Sequence, residues 1–227
     1  MDFPALPARL GHVREVIAER QRRGGWSHEV TIVAVTKTHP VEAVRAAAEA
    51  GIRAVGENRV QEALAKQEAA TGVPVEWHLI GTLQRNKARH AAGRFALVHS
   101  VDRLDLATEL DRRTADGSRQ AILVQVNCSG EPQKGGVEPD ALPALLEGIG
   151  GLARLELRGL MTMAPFTDDE RAQRPPFAML RELRDAGERA GHRLPELSMG
   201  MSGDYAAAAE EGATIVRLGT VLFGERT

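Results

Sequence analysis

The stretch TIVAVTK ends in Lys37, and a Thr38-His39-Pro40 turn follows at once. An amine held at the end of a buried strand, partly desolvated and near other cations, loses its proton more readily. The neutral amine is the form that attacks an aldehyde or ketone. The competing reading is a lysine whose stem packs on the strand end while its charge stays in water. A second constellation lies far along the chain, in LSMGMSGDYAAAAEEG and then TIVRLGT. Here the pattern is a short strand, a Gly-containing turn, a helix opening near residues 202–204, and another strand. Ser202 is placed to be the N-cap of that helix, whose first N–H groups suit an anion. Gly219 lets the backbone approach a ligand, and Thr220 offers a hydroxyl and an N–H. A phosphate held by Ser202, Gly203, Gly219 and Thr220, within reach of Lys37, points to a phosphorylated aldehyde. Arg217 has two readings. A guanidinium cannot give up its proton, so it can donate to a pyridine-type nitrogen and keep that atom unprotonated; otherwise it pairs with a carboxylate on a neighbouring loop.

These residues need a frame that brings positions 37 and 200–220 together. Short β-branched or apolar runs occur at about 30–36, 52–55, 75–80, 95–99, 121–127, 155–160, 196–199 and 214–218, with helical periodicity between most of them. Leu142, Leu145, Leu146 and Ile149 make one such helix face, and Phe177, Leu180, Leu183 and Gly187 another. Strands separated by helices pair in parallel, because a parallel neighbour needs a crossover. Eight of them predict an α/β fold, a single (β/α)8 TIM barrel, with chemistry at the C-terminal strand ends and phosphate at the loops after strands seven and eight. The competitor is an open doubly wound sheet. Closure makes strand eight the neighbour of strand one, which is what Lys37 and the anion loops require. Before the first strand, Leu6, Leu10, Val13 and Ile17 share one helical face, and Gly24-Gly25 ends it. This N-terminal helix, residues 1–25, is expected to cover the bottom or side of the barrel. No linker or composition shift divides the chain, so residues 1–227 read as one domain.

Composition excludes several classes. A net charge of −2 and 4% aromatic residues offer no basic stripe or stacking platform for nucleic acid. No apolar span approaches the ~20 residues of a membrane helix, and the first 25 residues lack a secretory pattern. The single cysteine, Cys128, cannot form an internal disulfide and suits a reducing compartment. Its plainest role is a small packing residue. The expectation is a cytoplasmic protein with no metal site.

The blocks VAVTKTHP, GENRVQEA, WHLIGTLQRNK, VHSVDR, VNCSGEPQKGG, LRGLMTM and LSMGMSGDYAAAAEEGATIVRLGTVLFG occur in order from about residue 30 to 224. Together they resemble the pyridoxal phosphate homeostasis protein family. The resemblance implies a barrel of the alanine-racemase N-terminal type binding pyridoxal 5′-phosphate (PLP) as a Schiff base on Lys37. It directs Arg217 to the ring nitrogen and Ser202, Gly219 and Thr220 to the phosphate. It also brings Asn58, of GEN, and His78, of WHxIG, near the cofactor. Asn58 otherwise reads as a helix cap, and His78 as a satisfied core histidine. Arg59 stands where a tyrosine is common in the family, and KGG replaces the usual K-S-G, leaving Lys134 as a second amine near the mouth or a solvated loop charge.

Three functional readings follow. One is a non-catalytic protein, with no catalytic residue, that holds, buffers or delivers PLP, with PLP-dependent apo-enzymes as candidate recipients. Another is a PLP-dependent amino-acid racemase. The resemblance to alanine racemase implies that such an enzyme needs a second base, a tyrosine from an added domain; the sole tyrosine here, Tyr205, lies in the phosphate-side helix. An unprotonated ring nitrogen also makes a weaker electron sink. The third is a cofactor-free Schiff-base aldolase, which leaves Arg217 unexplained. Without the added domain, a monomer is expected.

Overall fold

The computed structural model describes residues 3–225. Its eight strands are β1 (Thr31–Val35), β2 (Ala54–Glu57), β3 (Glu76–Leu79), β4 (Leu97–Val101), β5 (Gln120–Gln125), β6 (Leu155–Met161), β7 (Glu196–Ser198) and β8 (Ile215–Leu218). All neighbours pair in parallel, and β8 closes on β1 with Val33 opposite Arg217, giving a closed barrel in chain order. That pairing excludes the open sheet. Two strands start later than the hydrophobic runs suggest. The left-handed Gly51 stops the preceding helix, and the Ile52 N–H still bonds back to Ala47, so β2 begins at Ala54. Phe95 is buried as a connector, and β4 begins only after the Ala96 N–H reaches the Trp77 carbonyl.

The helices are α1 (Leu6–Gly24), α2 (Glu42–Glu49), α3 (Val60–Ala69), α4 (Ala88–Ala91), α5 (Leu104–Arg113), α6 (Leu142–Gly150), α7 (Glu170–Arg189), α8 (Tyr205–Glu210) and α9 (Thr220–Phe223). Leu6, Leu10, Val13 and Ile17 are all buried, as their spacing predicts. Helix α1 lies on the side of the barrel, against α8 and α9, where the four-residue α9 is too short to cover the closing strands. Gly24 permits the contact: a methyl group there would fall 2.1 Å from the Glu210 carbonyl oxygen. Arg20 pins the same junction by pairing with Glu170 at 2.8 Å and Glu210 at 2.9 Å.

Strand alternation sorts the residues into two cores. Val33, Ala54, Leu97, Ala121, Leu123, Met161 and Ile215 fill the barrel, while a larger cluster including Val55, Leu79, Val98 and Leu160 packs between sheet and helices. Continuing the inward set upward from Val33 and Ile215 places Val35, Lys37 and Arg217 at the mouth. Cys128 is buried, and its thiol is pushed up to about 11 by that burial, as befits a packing residue. No described helix is long and apolar enough to cross a membrane.

Candidate functional site

At the C-terminal ends of the strands the barrel opens into a cavity of about 440 Å³. Lys37, Asn58, Ser202, Gly203, Arg217, Gly219 and Thr220 all line it, joined by His39, Gln125, Gln173 and Asp204. A hollow of about 460 Å³ on the opposite face is lined by Arg119, Arg158, His192 and Arg193 and lies away from these strand ends.

The loops after β7 and β8 form one wall. Ser202 does not cap its own helix as expected. The N-cap position of α8 belongs to Asp204, because the turn closes earlier through the Met201 N–H, which donates to the Asp204 carboxylate at 2.5 Å. Ser202 instead crosses to the next loop, where its Oγ accepts from the N–H groups of Gly219 and Val221, each at 3.2 Å. This ties the two loops into one surface and leaves the hydroxyl proton to donate. The N–H groups of Gly203 and Thr220 take no backbone or side-chain acceptor among the described residues. Nor does the protein itself demand glycine here. A methyl at Gly203 would meet nothing within 4 Å, and one at Gly219 would touch only Val35, at 3.5 Å or more. It would take up space in the cavity instead. Unengaged N–H donors, a hydroxyl and two glycines facing an open mouth suit a phosphate group.

Arg217 rises from β8 into the same cavity. Its Nη1 donates to Ser198 Oγ at 2.7 Å and its Nη2 to the Thr162 carbonyl at 2.9 Å. Among the described residues no carboxylate bridges to it, which speaks against the paired reading. Burial lowers the guanidinium to about 10, with Asp204 acting the other way, so it remains protonated at neutral pH. Burial conversely raises the Asp204 carboxyl, against the Met201 N–H and the pull of Arg217.

His78 does not line the mouth. It sits inside the barrel, with Nδ1 3.0 Å from His99 Nε2, and His99 Nδ1 is 2.8 Å from Ser198 Oγ. Arg217 can only donate, so Ser198 Oγ accepts from it. In the two contacts beyond, which partner donates follows from the histidine tautomers. Burial keeps both rings neutral, bringing His78 down to about 4 and His99 well below the usual range.

Asn58 lines the mouth rather than capping α3, whose N-cap position is the exposed Arg59. Lys134 is neither a mouth amine nor a solvated charge. Its Nζ donates to Glu131 and to the Ala164 carbonyl, both at 2.6 Å, fastening a loop to the rim. Polar residues with structural parts in this region that escaped the sequence reading include Glu57, Glu62, Lys66, His99 and Ser198. GEN and VHS are visible as blocks, but nothing in them shows that a histidine 21 residues away completes a chain.

The sequence pattern of the alanine racemase N-terminal domain matches residues 10–227. A pyridoxal phosphate homeostasis protein from Aquifex aeolicus is 45% identical over 221 residues, covering 96% of this chain and 97% of the other. One from Pseudomonas aeruginosa is 49% identical over 201 residues, 87% and 85% of the two chains. The structure of PipY from Synechococcus elongatus with PLP bound superposes with a TM-score of 0.81 at 42% identity, covering 92% of this chain and all of that one.

Proposed function

This chain belongs to the pyridoxal phosphate homeostasis proteins of the alanine racemase N-terminal domain family, and on that premise we propose that it holds PLP at the barrel mouth through Lys37 and serves to buffer or deliver it. The observation that carries this reading is the convergence, around one cavity, of the Lys37 amine, the Arg217 guanidinium and the Ser202–Gly203 and Gly219–Thr220 donors. When bound, the cofactor supplies an aldehyde and a phosphate ester. Lys37 offers the amine for covalent attachment, and the two loops bind the phosphate. Arg217, protonated and backed by Ser198, donates toward the ring nitrogen. Asn58 borders the cofactor, and His78 acts through His99 and Ser198 rather than by contact.

Residues 1–227 work as one PLP-binding domain, with α1, from the 1–25 segment, as its side cover; positions 1–2 and 226–227 lie outside the described residues. On this reading it is a monomer acting in the cytoplasm without catalytic turnover, its partners being PLP and the apo-enzymes that receive it. Addition of PLP should give a visible absorption band. Borohydride should then fix a pyridoxyl group on the peptide containing Lys37; label found only at Lys87 or Lys134 overturns the assignment. Robust racemase, transaminase or decarboxylase turnover abolished by Lys37→Ala would overturn the non-catalytic reading.

A further inference from the structure

Behind Lys37, on the outer face of the sheet, lies a buried ionic cluster. Lys66, on α3, is only 9% exposed, although lysine is among the residues least often buried. Its Nζ makes three donations: to the Thr36 carbonyl at 2.6 Å, to Glu57 Oε1 at 2.7 Å and to Glu62 Oε1 at 3.2 Å. The two carboxylates reach the same short stretch of chain. Glu57 Oε1 accepts from Thr36 Oγ1 at 2.6 Å, and Glu62 Oε1 accepts from the Thr38 N–H at 2.8 Å. The residues on either side of Lys37 are therefore held by one cluster.

Two features say that the cluster exists for more than stability. Glu57 is fully buried and its Oε2 has no hydrogen-bond partner, an arrangement that a well-packed apolar pair would improve on. Thr38 has a φ of 64°, and it is the one non-glycine residue with positive φ among the described residues. A β-branched residue in that region is strained, and such strain persists only where the surroundings over-determine it. Both costs fall around the lysine at the mouth.

We propose that Lys66, with Glu57 and Glu62, is the positioning device for Lys37: it locks the peptide groups on both sides of that residue so that the side chain leaves the backbone already aimed into the cavity. This rests on the reading of Lys37 as the attachment point. Preorganisation of this kind strengthens only the bond that depends on the amine's position, and leaves the donors of the phosphate loops after β7 and β8 in place.

The test compares PLP with 4-deoxypyridoxine 5′-phosphate, which keeps the phosphate and ring but has no aldehyde. Glu57→Gln/Lys66→Met removes both buried charges together and leaves neither orphaned. Glu62→Ala, at a partly exposed position, removes the acceptor of the Thr38 N–H and the longest of the three Lys66 contacts, and leaves the buried Glu57–Lys66 pair in place. PLP affinity should fall about tenfold in the double variant and roughly threefold in Glu62→Ala, with affinity for the deoxy compound unchanged in both. In the ligand-free protein, hydrogen exchange at the Thr38 amide should accelerate in both variants. Equal losses for the two ligands, or Thr38 exchange as slow as in wild type, would overturn the proposal. If the double variant does not fold, Glu62→Ala decides by the same measurements. Equal binding of the two ligands by wild type itself would remove the reading of Lys37, and this inference with it, and so is told apart from a wild type that discriminates while the variants do too.

Discussion

The two walls of the mouth are built from different materials. On the β1–β2 side, charged side chains, Glu57, Lys66 and Glu62, grip the backbone around Lys37 from behind. On the β7–β8 side the work falls to backbone N–H groups, the Ser202 hydroxyl and a chain of neutral groups that ends on Arg217. The difference follows from what each wall must do. A reactive amine needs one direction, and buried charges give strong orientation at a cost in desolvation. An anion needs several donors whose state does not change with pH, and amides and hydroxyls do not titrate in the physiological range.

The sharpest way to break this comparison is to orphan one charge of the first wall. Lys66→Met should destabilise the fold by about 3–5 kcal/mol, because it strands Glu57 and Glu62, while adding Glu57→Gln should recover much of that loss. Urea denaturation of both variants checks it. Equal destabilisation would show that the cluster does not behave as an ion pair.

Acid should act on the second wall through its histidines. His78 is held below its ordinary 6.5, at about 4, chiefly by burial, with Arg158 adding to the effect, and His99, fully buried, is also held well below 6.5. Between those values the unfolded chain binds more protons than the folded one, so stability falls as the pH drops from about 6.5 towards 4. The loss is at most about 1.4 kcal/mol per pH unit for each ring. In His78→Gln the slope of unfolding free energy against pH over this window should flatten. Burial also raises the Glu57 carboxyl, against its bonds from Lys66 and Thr36, but that group is common to both proteins and drops out of the difference.

The smallest effect is expected at the anion loops. Ser202→Ala with Thr220→Val removes two hydroxyls and leaves the backbone donors. PLP binding should weaken about tenfold, or ~1.4 kcal/mol, while binding of pyridoxal, which has no phosphate, should change little. Isothermal titration with both ligands separates the outcomes, and an unchanged PLP affinity would move the phosphate elsewhere.

Most of the frame was legible in the chain, because the signals that define it are local. Eight apolar runs with helical periodicity between them predict a parallel barrel, and the Leu6–Leu10–Val13–Ile17 stripe predicts a buried helix face, since burial of one face imposes a period on the residues that form it. Lys37 and Arg217 could be picked out for the same reason: a charged residue at the end of an apolar strand breaks a short pattern. Ser202 was noticed, but its role was misplaced, because a serine before a helix looks like a cap whether its hydroxyl turns back to its own turn or across to Gly219. Tertiary structure alone decided the rest. Lys66 lies 30 positions from Thr36 along the chain, and His99 lies 99 positions from Ser198. Hydrogen bonds at such separations leave no periodicity behind; they exist only once the barrel has closed and set β1 against β2, and the interior of β4 against β7.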